Sequence, residues 1–193
     1  MRQFSALFAG FASCVWAHAA VAADVDVHAS AAFRQAPTMS VEQDMNFTPD
    51  GQAIEYQAQP TSADRVQLGT DGSLSATGSA FLPPTTGQAG AVRVSGDDTS
   101  AVDISCTNDA ALTTSTGAAL TLTNLEFAVD QGTSAGNAVA CQGLGTVSST
   151  HTLDGDDQLL VGGELVGDSS LTDGTYSTAN AGGTPATFRV IYN

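Results

Sequence analysis

The sequence predicts an all-β sandwich, and three observations predict it. Short runs of period-two alternation recur every eight to twelve residues along the chain. Clusters of Gly, Asp, Pro and Thr separate them, and no stretch keeps a helical period for more than two turns. Short strands at that spacing, joined by residues that favour turns, indicate antiparallel sheets packed face to face.

In chain order, Met1 to Ala22 reads as a secretory signal peptide. Arg2 supplies the positive start, Phe4 to Trp16 the apolar stretch, and Ala20-Val21-Ala22 the small-x-small cleavage signal. The alternative is a membrane anchor, but the apolar run is shorter than the roughly 20 residues a span requires. Cys14 lies inside that run without the flanking residues of a lipidation site. The mature chain is expected to be a single β-sandwich domain over residues 23–193, exported to the periplasm, the cell surface or the medium, with no membrane span.

The first mature strand is Val25 to Phe33, in which Val25, Val27, Ala29, Ala31 and Phe33 share one face. Gln35-Ala36-Pro37 interrupts, and alternation resumes from Thr38 to Phe47 through Met39, Val41, Gln43 and Met45. Thr48-Pro49-Asp50-Gly51 is a turn in which Pro sets φ and Gly accepts a positive one. A short strand follows over Ile54 to Gln57. Leu74, Ala76, Gly78 and Ala80 form the next alternating run, stopped by Pro83-Pro84, and Ala91 to Ser95 and Val102 to Cys106 flank the Gly96-Asp97-Asp98 turn.

From Ala119 to Asp130 the apolar phase changes: Leu120 and Leu122 precede Asn124, while Leu125, Phe127 and Val129 follow it in the opposite parity. A one-residue slip at Asn124 restores a common face, which is the work of a β-bulge. Gly132 to Gly136 reads as loop, and Val139 and Cys141 share a parity. Val147, Ser149, His151 and Leu153 lead into the Asp154-Gly155 turn, and Gln158 to Val166 is the next strand. After turn clusters at Thr172 to Thr175 and Ala181 to Thr184, the chain ends on Pro185 to Asn193. There Ala186, Phe188, Val190 and Tyr192 share one face, and only Ile191 breaks the polar row opposite.

Charge narrows the partners. Twenty Asp and Glu stand against five basic residues, all Arg, for a formal net charge of -15. Nucleic acid and anionic membrane surfaces are poor partners, because each phosphate contact needs a cation. Once Cys14 is removed with the signal, two cysteines remain, and in an exported chain they predict a Cys106–Cys141 disulfide, with two buried thiols as the alternative. The cross-link would contribute about 4 kcal/mol by the chain-entropy argument.

No catalytic constellation is present, and no cofactor is expected. His28 and His151 read as surface histidines without G-x-S-x-G or H-E-x-x-H context. Asp154, Asp156 and Asp157 form an acidic turn that could coordinate calcium, as could Asp97-Asp98, but neither has EF-hand order or a nonapeptide repeat. Gly162-Gly163 and Gly182-Gly183 are strand or turn glycines, since neither pair opens a helix or precedes a Lys.

Met45-Asn46-Phe47, Val161-Gly162-Gly163-Glu164-Leu165, Gly174-Thr175-Tyr176 and Thr187 to Asn193 together resemble the bacterial domain-of-unknown-function 4402 family of small exported proteins. Thr48 stands where that family usually has Gly, so the local turn departs from the pattern. The resemblance implies an immunoglobulin-like sandwich, a likeness of some members to fimbrial subunits, and no catalytic residues. On that basis the expected function is a structural or adhesive protein of the cell envelope, forming a homo-oligomer or pilus-like assembly. Val25, Val27, Ala29, Ala31 and Phe33 would be the strand donated to a neighbour, with Phe188, Val190 and Tyr192 on the closing strand. The rival arrangement pairs both strands within one domain. The other function class is a ligand-binding module for carbohydrate or calcium, which has few aromatics to use: Tyr56, Tyr176 and Tyr192, and no Trp after cleavage.

Overall fold

The computed structural model describes residues 35–132, 135–155 and 157–193, all within the unit Arg34–Asn193. Their period-two runs form thirteen strands: β1 (Thr38–Gln43), β2 (Glu55–Tyr56), β3 (Arg65–Leu68), β4 (Leu74–Thr77), β5 (Phe81–Leu82), β6 (Gly90–Ser95), β7 (Ala101–Cys106), β8 (Ala110–Thr113), β9 (Ala119–Asp130), β10 (Val139–Ala140), β11 (Ser149–Thr152), β12 (Asp157–Val166) and β13 (Phe188–Tyr192). Every pairing between them is antiparallel. The signal-peptide boundary and Val25 to Phe33 lie outside the described residues.

β12 organises the larger sheet. One of its edges pairs with β9 from Gln158↔Asp130 to Leu165↔Leu122. Its other edge pairs with β6 as far as Val161↔Gly90, then with β3 from Gly163↔Leu68 onward. β1 extends the β6 side, β4 the β3 side, and β8 and β10 the far side of β9, which makes eight strands. A second sheet has the order β11-β7-β13, and β2 and β5 form a small pair. The expectation of an antiparallel sandwich therefore holds.

Side-chain alternation builds the core between the sheets. Val102, Ile104 and Cys106 of β7 and Val190 of β13 meet Leu122, Leu125 and Phe127 of β9, Leu159 of β12 and Val94 of β6, all buried. Each such side chain contributes roughly 1.5–3 kcal/mol by leaving water. Phe127 also meets Phe188 edge to face, with centroids 6.0 Å apart at 85°. On β13 Phe188, Val190 and Tyr192 alternate inward while Ile191 remains 52% exposed, as the sequence pattern requires.

The bulge is where the phase change placed it. Asn124 takes φ 48°, and the β9–β12 register shifts there, so that two residues of β9 oppose Gly163 alone. Asn tolerates this left-handed geometry better than most residues. Its side chain donates to Glu164 Oε2 at 3.2 Å, and Arg65 donates to the other carboxylate oxygen at 2.5 Å.

Two expected runs change, and two short strands are additions. The run Thr38 to Phe47 is a strand only to Gln43, after which Met45 and Phe47 turn toward the core. The run Leu74 to Ala80 is a strand only to Thr77, as β4; the chain bends at Gly78, φ 86°, before β5 begins at Phe81. β3 and β8 carry no alternation long enough to recognise, yet Val66 and Leu68 are wholly buried because β12 supplies the long template against which four residues suffice.

Candidate functional site

The disulfide is formed between Cys106 and Cys141. Cys106 ends β7 in the small sheet, and Cys141 follows β10 in the large one, so the bond ties the two layers together. Its burial, with Cys106 at 0% and Cys141 at 6% exposure, shields it from reductant.

The acidic turn is occupied by protein partners. Asp157 is 1% exposed; its Oδ1 lies 3.1 Å from His151 Nε2, and its Oδ2 accepts the Asp154 amide at 3.0 Å. Burying a carboxylate demands such partners, and through them Asp157 has a structural role in closing the turn. Asp156 lies outside the described residues. Among those described, no group of three or more His, Cys, Asp or Glu is placed to hold a metal ion. His151 is correspondingly half-buried and paired rather than a surface residue, while His28 lies outside the described residues.

Two surface features remain. The first is an edge. β1 ends the large sheet and pairs with β6 alone among the described residues. All six of its residues are exposed. Met39 and Val41 stand opposite Val94 and Val92, so they lie on the core side of the sheet, yet they are 39% and 67% exposed. Glu42, the strand's one charge, is bound by Arg93 and by Gln158. β13 ends the small sheet on the same side. A depression of about 250 Å³ there is bordered by Gln35, Ala36 and Thr38, by Ser95 to Asp97, and by Tyr192, whose hydroxyl accepts the Asp97 amide at 2.6 Å.

The second feature is a cleft of about 410 Å³. Val66, Leu112, Leu120 and Leu165, from β3, β8, β9 and β12 of the large sheet, form the cleft floor. Phe47, Ile54, Tyr56 and Phe81 form one wall, and the segment Leu171 to Tyr176 the other. Asp64 fastens the first wall by accepting Thr61 N and Oγ1 together with the amides of Ser79 and Ala80, just before β5. Those bonds, Thr61's first, hold its carboxyl below the usual value. The second wall continues into a loop stitched to β8 through Ala111↔Thr184 and Thr113↔Ser177.

Across the mouth, Tyr56 donates to Asp173 Oδ1 at 2.8 Å. That bond, with some burial and the negative charge of Asp173, raises the phenol above its ordinary value. Tyr176 donates to the Thr172 carbonyl at 3.0 Å and accepts the Thr172 amide. The structure thus brings together two of the three tyrosines singled out for sugar stacking, but with their hydroxyls already engaged. The apolar lining was not read from the sequence as a site, because Phe47, Phe81, Leu112 and Leu171 come from four separated segments, and the one motif among them, Met45-Asn46-Phe47, gives no sign of a cleft.

Residues 38–183 match the family described as Domain of unknown function (DUF4402). No curated protein and no solved structure gave a match. With most of its length inside the family match, from β1 to the loop before β13, the chain belongs to the DUF4402 family.

Proposed function

We propose that this is an exported, non-catalytic structural protein of the cell envelope that assembles by strand pairing, with β1 receiving an extended segment of a neighbouring copy. The observation that carries the reading is the β1 edge. Natural sheets protect their edges with Lys, Pro, bulges or covering elements. β1 has Pro37 before it and a register shift at Glu42, but between them it offers Met39 and Val41 on the core side, 39% and 67% exposed, with its single charge already bound. The segment Val25 to Phe33 has the complementary pattern, an apolar residue at every second position. Its own chain is poorly suited to fold it back onto β1: Arg34-Gln35-Ala36-Pro37 contains no Gly, Asn or Asp to reverse direction, and Pro37 keeps its predecessor extended. A neighbour's segment is under no such restriction.

Sedimentation of the mature protein over a wide dilution range tests the reading. Concentration-dependent oligomers are expected, together with their loss in both Val41→Lys, at the exposed edge, and Val27→Asp, which would bury an unpaired charge. A monomer at every concentration, or oligomers indifferent to both substitutions, overturns it.

A further inference from the structure

We propose that the cleft between Phe47, Phe81 and Leu171 binds a small apolar molecule that carries an amino group, with its hydrocarbon body against the sheet and its ammonium at Asp173. The site shares no residue with β1, so the proposal goes beyond the assembly reading and does not depend on it.

Size sets the first limit. A volume of about 410 Å³ falls at the lower end of ligand pockets and accommodates roughly a dozen non-hydrogen atoms. The lining sets the second. The floor is Leu and Val from four strands of the large sheet, and the walls add Phe47, Ile54, Phe81 and Leu171. The tyrosine hydroxyls at the mouth are satisfied by Asp173 and Thr172. No buried side-chain polar atom of the described residues lacks a partner. Asn46, Thr48, Gln52, Thr172 and Thr175 add polar groups to the lining, but the floor is wholly apolar, so the end of a ligand that reaches it is an alkyl or aryl body, which needs no donors or acceptors there.

Charge sets the third limit. No Arg or His lines the cleft, and its one charged lining residue is Asp173. Oδ1 of that carboxylate takes the Tyr56 hydroxyl, while Oδ2 has no hydrogen bond among the described residues. A carboxylate ligand would meet this negative group in a strongly acidic protein with no cation to offset it. An ammonium would meet a fixed acceptor, already oriented by Tyr56, at the point where the apolar lining gives way to water.

Calorimetry of the mature protein with octylamine, octanol and octanoate distinguishes the possibilities. Octylamine is expected to bind most tightly and octanoate about tenfold more weakly, the combined effect of gaining one exposed ion pair and losing one like-charge contact. Asp173→Asn should bring octylamine down to the level of octanol. Because an acidic surface attracts any amine, Leu171→Trp provides the second variant: it fills the cleft without changing the charge, and it should abolish binding of octylamine and octanol alike. Octanoate binding as tightly as octylamine, octylamine binding that survives Leu171→Trp, or no octylamine binding at all overturns the proposal.

Discussion

Gly162→Ala tests how the larger sheet is joined. Gly162 occupies the position on β12 where the partner strand changes, between Val161↔Gly90 of β6 and Gly163↔Leu68 of β3. A methyl group there would press on the Leu68 carbonyl oxygen well inside van der Waals contact, with Gly69 C at 3.0 Å and Thr70 N at 3.1 Å. All three are backbone atoms of the chain leaving β3, and they cannot rotate aside as a side chain can. The strain belongs at the upper end of overpacking costs, about 3 kcal/mol. Less about 0.5 kcal/mol from restricting the unfolded chain, the net loss is about 2.5 kcal/mol, which for a chain of this size lowers the melting temperature by about 7 °C. Gly163→Ala is the internal control. Its methyl would meet Leu125 Cδ2 at 3.0 Å and Leu122 Cδ1 at 3.2 Å, both at the ends of flexible side chains. Strain of about 1.5 kcal/mol, less about 0.5 from restricting the unfolded chain, leaves a net loss of about 1 kcal/mol. Thermal and urea unfolding followed by far-ultraviolet circular dichroism give both values. If Gly162→Ala is no more destabilising than Gly163→Ala, the backbone contact does not control this junction and the reasoning fails.

Two further outcomes follow from the same structure. Replacing Cys106 and Cys141 together with Ser should lower stability by up to about 4 kcal/mol, since the cross-link closes a 35-residue separation, and urea unfolding of the variant against the wild type measures the loss. The fold should survive at neutral pH, because the core reaches well beyond the bond. Asp64 has its carboxyl held below the ordinary 3.8, so its contribution is present in full above that value and is lost as pH falls through its lower folded value. Asp64→Asn should therefore be destabilising at pH 7, and the difference from wild type should shrink in strong acid; a difference independent of pH would show that its charge is not what fastens the β5 wall.

The alternation of β13, the phase change at Asn124 and the pairing of two cysteines were legible in the sequence because each rests on local rules. Strand periodicity is set by the pleat, a bulge by the one-residue slip needed to keep apolar side chains on one face, and a single disulfide by the two cysteines left in a chain expected to be exported. The motif Val161-Gly162-Gly163-Glu164-Leu165 was visible as a family signature, but its purpose was not. Its two glycines mark the change of partner along β12 and the position opposite the bulge.

Tertiary structure alone decided three matters. It recruited β3 and β8, whose four residues apiece carry too little periodicity to be recognised but acquire pairing and burial from β12 and β9. It buried Asp157 beside His151, a pairing across a turn that composition presents as an exposed acidic cluster. It also assembled the cleft, because the apolar floor comes from four strands of the large sheet and is walled by segments far apart in the chain. The physical reason is common to all three: local sequence sets which face of a strand is apolar, whereas the element covering that face is chosen by the packing of the whole chain.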